Sequence, residues 1–198
     1  MQNTAPQAQA PSPKPLPVFV TFTLPINAQS SQVILGACAE LVKQKVETVY
    51  LILSTPGGQV VDGITIYNAL RAMPFKLITH NIGNVDSISN VVFLAGEERY
   101  ASPTATFMFH GVGFDIAAPF RLEEKVLLER LTSIRTEHKR IGDIIVSRTK
   151  LSLGEIEKMF AEQVTKDVNF AKENDLIHDI VDLKIPPGAT VYNLAVPK

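Results

Sequence analysis

The sequence predicts an α/β protein built on a mostly parallel sheet. Runs of β-branched and aromatic residues alternate with segments whose apolar residues recur at helical spacing, as in consecutive βαβ units. The run ETVYLILS, residues 47–54, is apolar almost throughout, which is typical of a strand buried on both faces of a parallel sheet. It ends in the sharp turn TPGG, residues 55–58. In such sheets the functional groups are expected at the carboxyl ends of the strands.

The remaining elements follow from similar local patterns. Apolar β-rich runs predict strands, helical periodicity predicts helices, and SLGE predicts a capping box that opens a helix. In chain order, the sequence predicts a strand at PVFVTF, a helix over residues 27–45, a strand at 47–54, a helix at VVDGITIYNALRAM, a short strand at KLITH, two strands around RYAS and TFMFH, a helix after SLGE, helical FAKEND and a strand near LIHDIVDL.

Residues 120–150 predict one long amphipathic helix, because they contain no proline and a single glycine. Apolar residues recur there at steps of three, four and seven, at Leu127, Leu131, Ile134, Ile141 and Ile145. Such a helix either packs on the core or projects to bind another subunit. Residues 1–17, rich in Pro, Gln and Ala, predict a flexible tail, which leaves residues 18–198 as one domain.

The composition argues against several classes of protein. The 19 basic residues are balanced by 20 acidic ones, so no basic field attracts nucleic acid or an anionic membrane surface. No apolar run approaches the ~20 residues that span a bilayer, and a secretory signal is not recognisable. Metal-ligand spacings and a phosphate-binding loop are also not recognisable. We therefore expect a soluble cytoplasmic protein without nucleic-acid or membrane partners, and without a metal or another cofactor.

Three places could support nucleophilic catalysis. Ser87 directly precedes an apolar helical pattern, His110 ends a predicted strand before a glycine loop, and the glycine turn at 57–58 leaves backbone N–H groups accessible. Each also has a structural interpretation: a helix cap, a hydrogen-bonding histidine and an ordinary turn. His80 ends a predicted strand as well, so position alone does not choose between the two histidines.

The order of these segments resembles the proteolytic subunit of Clp proteases (ClpP). STPGGQVVDGITIYNAL, residues 54–70, is similar to the family's Ser-Pro-Gly-Gly segment and the helix after it. GNVDSISNVVFLAG resembles the family's nucleophile segment and RYASPTATFMFHGV its histidine segment. The resemblance covers about residues 18–182. It implies the ClpP/crotonase-like fold of repeated β-β-α units, with a long protruding handle helix at about residues 120–150.

Carried over residue by residue, the resemblance implies a serine peptidase. Ser87, four residues after Gly83, becomes the nucleophile, and His110 becomes the base. The N–H groups of Gly58 and Ile88 become the oxyanion hole. The implied reaction is acyl transfer, in which the serine attacks a peptide carbonyl and the histidine takes and returns its proton.

The family's triad aspartate aligns with Gln163. A glutamine carbonyl can orient an imidazole but cannot supply the charge that stabilises imidazolium, so we expect reduced activity if Gln163 is the third member. Asp167, four residues further on, is the alternative third member, although a helix-capping carboxylate is the simpler interpretation of it.

Two residues beside the serine also depart from the family's Ser-Met-Gly-like pattern. Asp86 places a negative charge next to the expected oxyanion, which is unfavourable unless the carboxylate is paired or points away. Ser89 replaces a glycine and is an alternative nucleophile, but it would break the spacing to the preceding glycine and to His110.

The resemblance implies peptide or unfolded-protein substrates and a homo-oligomer of stacked heptameric rings. It also implies an ATP-driven AAA+ unfoldase, yet the Pro-rich tail does not match the family's N-terminal segment, so assembly without that partner stays open. Two other functions remain as alternatives. One is a weakly active or inactive structural or regulatory ring subunit; the other is a crotonase-like acyl-CoA enzyme.

Overall fold

The computed structural model describes residues 15–114 and 123–195. Most of the predicted tail, residues 1–14, lies outside the described residues. So do residues 120–122 at the start of the predicted handle helix.

Within the described residues, eight strands and six helices alternate along the chain. The strands are β1 (Val18–Phe22), β2 (Thr48–Thr55), β3 (Lys76–Asp86), β4 (Glu98–Ala101), β5 (Thr106–Phe109), β6 (Val164–Lys166), β7 (Asp179–Ile180) and β8 (Val191–Asn193). The helices are α1 (Ala28–Lys43), α2 (Val60–Arg71), α3 (Ser89–Phe93), α4 (Glu124–Arg148), α5 (Leu153–Glu162) and α6 (Val168–Glu173).

The strands form one mostly parallel sheet in the order β6-β5-β3-β2-β1-β8, with β4 and β7 branching from β3. The pairing between β5 and β6 is antiparallel. The predicted α/β class with a mostly parallel sheet is confirmed. As expected for a central parallel strand, β2 is largely buried and carries the core residues Leu51, Ile52 and Leu53.

Strand β3 is longer than the sequence predicts. Its first half pairs with β4 at Ile78–Asn81, and its last residues, Asn84–Asp86, pair with β5. Gly83 and Asn84 are weak strand formers, which is why the prediction ended near His80, but tertiary pairing with β5 overrides that local preference. The extension brings the residue after Asp86 next to the strand that ends at Phe109.

His80 lies inside the sheet. It is fully buried, its Nδ1 is 2.7 Å from the Tyr50 hydroxyl, and its Nε2 is 3.2 Å from the Ser102 hydroxyl. Burial lowers the pKa of His80, which favours the neutral ring. These contacts give His80 a structural role and leave His110 as the histidine near Ser87.

Helix α4 confirms the predicted long helix. Its C-terminal part buries Ile141 and Ile145 against the core. Its first turns leave Leu127, Leu128 and Leu131 exposed to 50%, 56% and 41%. The helix therefore extends beyond the core with an apolar row on its surface. None of the helices in the described ranges is long and apolar enough to cross a lipid bilayer.

Candidate active site

Ser87 occupies a sharp turn between β3 and the buried helix α3. Its φ is 59°, in the left-handed region that a non-glycine residue enters at a cost of order 1 kcal/mol or more. Its N–H donates to the Met108 carbonyl of β5 over 2.8 Å, which ties the turn to the strand before His110. The side chain is half-buried. This geometry presents the serine at the carboxyl end of its strand.

Two neighbouring side chains hold this turn. The Asn90 amide donates to the carbonyls of Ser87 and Met108 over 3.0 and 2.8 Å. The hydroxyl of Ser89 lies within hydrogen-bonding distance of the Asp86 and Thr55 carbonyls. Ser89 is fully buried, so its hydroxyl supports the turn and, in this arrangement, is not open to a substrate.

The glycine turn after β2 packs directly against Ser87. Gly57 has a φ of 83°, and an added Cβ would lie 2.5 Å from the Asp86 carbonyl oxygen and 2.8 Å from the Ser87 Cβ. At Gly58, whose φ is 148°, an added Cβ would lie 2.0 Å from the Ile26 carbonyl oxygen. A side chain at either position is therefore excluded by backbone conformation and by space.

The glycine turn pairs with the backbone at Ile26 but leaves the N–H of Gly58 out of that pairing. Ile26 donates to the Gly57 carbonyl over 2.7 Å, and the Gln59 N–H donates to the Ile26 carbonyl over 2.8 Å. These two bonds form an isolated parallel bridge between Ile26 and Gly58, and the N–H of Gly58 takes no part in it. Within the described part of the chain, the N–H groups of Gly58 and Ile88 donate to no acceptor, so both are available to a ligand.

We expect Gly58→Ala to slow the reaction of Ser87 with a fluorophosphonate by about 10²–10³-fold. The new Cβ would displace the Ile26 backbone and move the amide that the turn offers to a ligand. Loss of one oxyanion donor costs about 10²–10³-fold in kcat. The measurement is the rate of Ser87 labelling by a fluorophosphonate. Gly36→Ala is the matched control, because an added Cβ there meets nothing within 4 Å. An equal loss of labelling rate in both variants would contradict the assignment of Gly58 as an oxyanion donor.

The four residues that the sequence singled out as nucleophile, base and oxyanion donors line one pocket of about 620 Å³. They are Ser87, His110, Gly58 and Ile88. His110 follows β5 directly, and its position at this edge comes from the pairing of β5 with the end of β3. Among the described residues, no hydrogen bond joins the Ser87 hydroxyl to the His110 ring. Catalytic hydrogen bonds often tighten only when substrate binds.

Gln163 directly precedes β6, the strand that pairs with the end of β5. The antiparallel pairing of these strands ends at Phe109 opposite Val164, so Gln163 and His110 are each one residue beyond the last pair. Gln163 ends α5 in a left-handed conformation, with φ 53°. Asp167 lies beyond the other end of β6, where its carboxylate accepts the Phe170 N–H over 2.9 Å and caps α6.

The Asp86 carboxylate is engaged away from the pocket. It accepts a hydrogen bond from the Asn84 amide at 2.5 Å, and the Asn84 carbonyl oxygen accepts from the Ser54 hydroxyl at 3.2 Å. Asp86 is not among the described residues that line the pocket. The carboxylate is thus paired with an amide. This pairing reduces the repulsion between its negative charge and an oxyanion at Ser87.

The rest of the pocket wall is mainly apolar. It is formed by the segment after His110, by the inward face of α4 and by α5, and includes Val112, Phe114, Ile141, Ile145 and Phe160. Glu137 and Ser133 of α4 add polar groups. Helical periodicity predicted burial of Ile141 and Ile145, but not that they face a pocket. The supporting role of Asn90 carried no sequence signal, because an asparagine inside an apolar helix is uninformative by itself.

Comparisons with known proteins agree with this architecture. The family model described as Clp protease matches residues 18–184. Proteolytic subunit 2 of the ATP-dependent Clp protease of Borreliella burgdorferi is 26% identical over 69% of this chain and 68% of its own length. The ATP-dependent Clp protease proteolytic subunit of Nuphar advena is 28% identical over 80% of this chain and 76% of its own length.

The fold also matches a solved structure. A point mutant of ClpP1 from Listeria monocytogenes superposes with a TM-score of 0.73 at 20% identity, covering 84% of this chain and 92% of that one. The fold and the pocket together define a ClpP-like α/β protein, and the predicted ClpP-like fold with its long helix is confirmed. The chain belongs to the Clp protease family.

Proposed function

We propose that this chain is a Clp-type serine endopeptidase subunit that cleaves peptide bonds through an acyl-enzyme on Ser87. The observation that carries the proposal is the turn at Ser87: a strained, half-buried serine shares one pocket with His110 and with two backbone amides that have no acceptor among the described residues. Strain of this kind is retained where it positions a functional group.

In the proposed reaction, His110 removes the Ser87 hydroxyl proton as the oxygen attacks the scissile carbonyl carbon. The N–H groups of Gly58 and Ile88 stabilise the oxyanion, and the imidazolium then gives its proton to the leaving amine as the C–N bond breaks. Water, deprotonated by His110, hydrolyses the ester and restores the serine. In this account the Gln163 carbonyl orients the His110 ring, which gives a slower reaction than a carboxylate would.

The pocket wall indicates the substrate. Its apolar residues favour an apolar side chain next to the scissile bond, and we propose that the peptide lies extended between the glycine turn and the segment after His110, which both line the pocket. We therefore propose unfolded polypeptides or peptides as substrates. A folded domain would not present an extended chain to these amides.

The exposed row on α4 supports an assembly. Leu127, Leu128 and Leu131 are apolar side chains on a helix that extends beyond the core, and such a row is typical of a subunit interface. We propose that α4 joins subunits as in stacked heptameric rings, which would enclose the sites in a chamber in the cytoplasm. Coupling to an AAA+ unfoldase is part of the same proposal, as the names of the ATP-dependent relatives suggest.

We expect Leu131→Glu to split the assembly, because burying a new carboxylate in an apolar contact costs several kcal/mol. Sedimentation velocity should show a particle of lower mass than the wild type. Val146→Glu is the matched control, since Val146 is exposed to a similar extent, 40%, near the other end of α4. A wild-type particle that Leu131→Glu leaves intact would contradict this interface.

The direct test is cleavage of an unfolded protein by the purified chain, with the cleaved bonds identified by mass spectrometry. We expect cuts after apolar residues and inhibition by a fluorophosphonate. Cleavage that persists after full modification of Ser87 would contradict the proposal.

A second candidate is a weakly active or inactive ring subunit, and a specific observation favours it. The residue that directly precedes β6, at the position proposed for the third triad member, is Gln163 and not a carboxylate. This candidate predicts an assembled particle that neither cleaves peptides nor labels at Ser87. Assembly with labelling would instead support the peptidase.

A further inference from the structure

The segment that follows His110 is held by two hydrogen bonds from different helices. The Gly111 N–H donates to the Phe160 carbonyl of α5 over 3.1 Å. The Val112 N–H donates to Nε2 of His138, on α4, over 2.7 Å. Since Val112 lines the pocket and Gly111 adjoins the base, these two bonds fix the wall of the site on the histidine side.

His138 fits closely against this segment. Its ring centroid is 5.3 Å from that of Phe160, and a Cβ added to Gly111 would lie 3.0 Å from its Nε2. A Cβ at residue 111 would therefore make the ring give way by a few tenths of an ångström. His138 does not line the pocket itself, so it has no contact with a bound peptide there.

We propose that His138 is a positioning residue for the peptidase reaction, because its neutral ring holds the segment 110–112. Through this bond the position of the interface helix α4 is coupled to that of the base, His110. The inference rests on the proposed function. The bond requires an unprotonated Nε2, and therefore a neutral ring with its proton on Nδ1. A protonated ring has no acceptor and would present an N–H to the Val112 N–H.

Charged groups of both helices that carry these contacts lie near the ring. Burial lowers the pKa of His138, and Glu157 of α5 opposes that shift. On α4 itself the neighbouring Glu137 is paired with Arg140 at 2.9 Å. Because the pKa in the folded state is lowered, the bond is intact above the ordinary histidine pKa of about 6.5 and is lost as the pH falls through the lowered value.

Two substitutions separate positioning from bulk packing. His138→Leu keeps a side chain that can pack against Phe160 but removes the Nε2 acceptor. His138→Gln places a carbonyl oxygen near the position of Nε2 and cannot titrate. Hydrogen exchange of the segment 110–114 reports the bond directly, and the rate of fluorophosphonate labelling at Ser87 reports its effect on the site.

We expect His138→Leu to speed exchange of this segment and slow labelling about tenfold, the factor that corresponds to one hydrogen bond. His138→Gln should behave as wild type at pH 8. At acid pH it should keep the segment protected where the wild type loses protection, because glutamine does not titrate.

His178→Leu is the matched control. His178 also accepts a backbone N–H, that of Arg99 at 2.9 Å, but through Nδ1 and outside the residues that line the pocket. This variant should leave exchange of 110–114 unchanged. Wild-type exchange in His138→Leu, or equal acid loss of protection in His138→Gln and wild type, would overturn the proposal. Hydrogen exchange tests the role of His138 even if Ser87 is never labelled. Absence of labelling would refute the proposed peptidase function separately.

Discussion

Ser87→Ala is expected to lower kcat for peptide hydrolysis by about 10⁴-fold or more. Removal of the nucleophile leaves only the rate enhancement of the oxyanion donors and of substrate binding. The structure gives the reason for choosing this serine: its turn is strained and faces the pocket that contains His110. The measurement is steady-state hydrolysis of a fluorogenic peptide, with the variant purified free of wild-type enzyme.

Ser89→Ala is the matched control for this experiment. Ser89 is fully buried and lies within hydrogen-bonding distance of two carbonyls, so its removal should weaken the turn without removing the nucleophile. The variant should still form an acyl-enzyme. If Ser89→Ala abolishes hydrolysis while Ser87→Ala retains it, the assignment of the nucleophile is wrong.

Gln163→Asp is expected to raise kcat about 10²-fold. In serine peptidases with a complete triad, loss of the carboxylate function costs about 10⁴-fold, and a glutamine carbonyl recovers only the orienting part of it. We propose that residue 163, one step beyond the paired strands β5 and β6, lies beside His110, where a carboxylate would stabilise the imidazolium.

Asp167→Asn serves as the control for the third position. Asp167 caps α6 through the Phe170 N–H, and asparagine is an equally good cap, so we expect little change in stability or in kcat. A large loss of kcat in Asp167→Asn, together with no gain in Gln163→Asp, would identify Asp167 as the third member.

Much of the fold could be predicted because it is encoded locally. The continuous apolar run of β2 and the glycine turn after it, like the helical periodicity of α4, are one-dimensional patterns. The short strands β6 and β8 were not predicted, because three residues carry too little pattern. The long β3 was missed because pairing with β5, a non-local interaction, stabilises its weak last residues.

The candidate site was predicted in part for the same reason. The order of the glycine turn, Ser87 and His110 along the chain indicated the residues, and the sheet brings them to one edge. The sequence could not show the left-handed φ of Ser87. Nor could it reveal the contact between Val112 and His138, which lie 26 positions apart. Such contacts depend on how α4 packs, which periodicity alone does not determine.

The most direct measurement is fluorophosphonate labelling of the full-length assembled protein, followed by peptide mapping. We predict a single adduct on Ser87 that forms in wild type and in Ser89→Ala, forms about 10²–10³-fold more slowly in Gly58→Ala, and does not form in Ser87→Ala. An adduct on Ser89, or no adduct in a correctly assembled particle, would contradict the conclusion that Ser87 is the nucleophile of a peptidase.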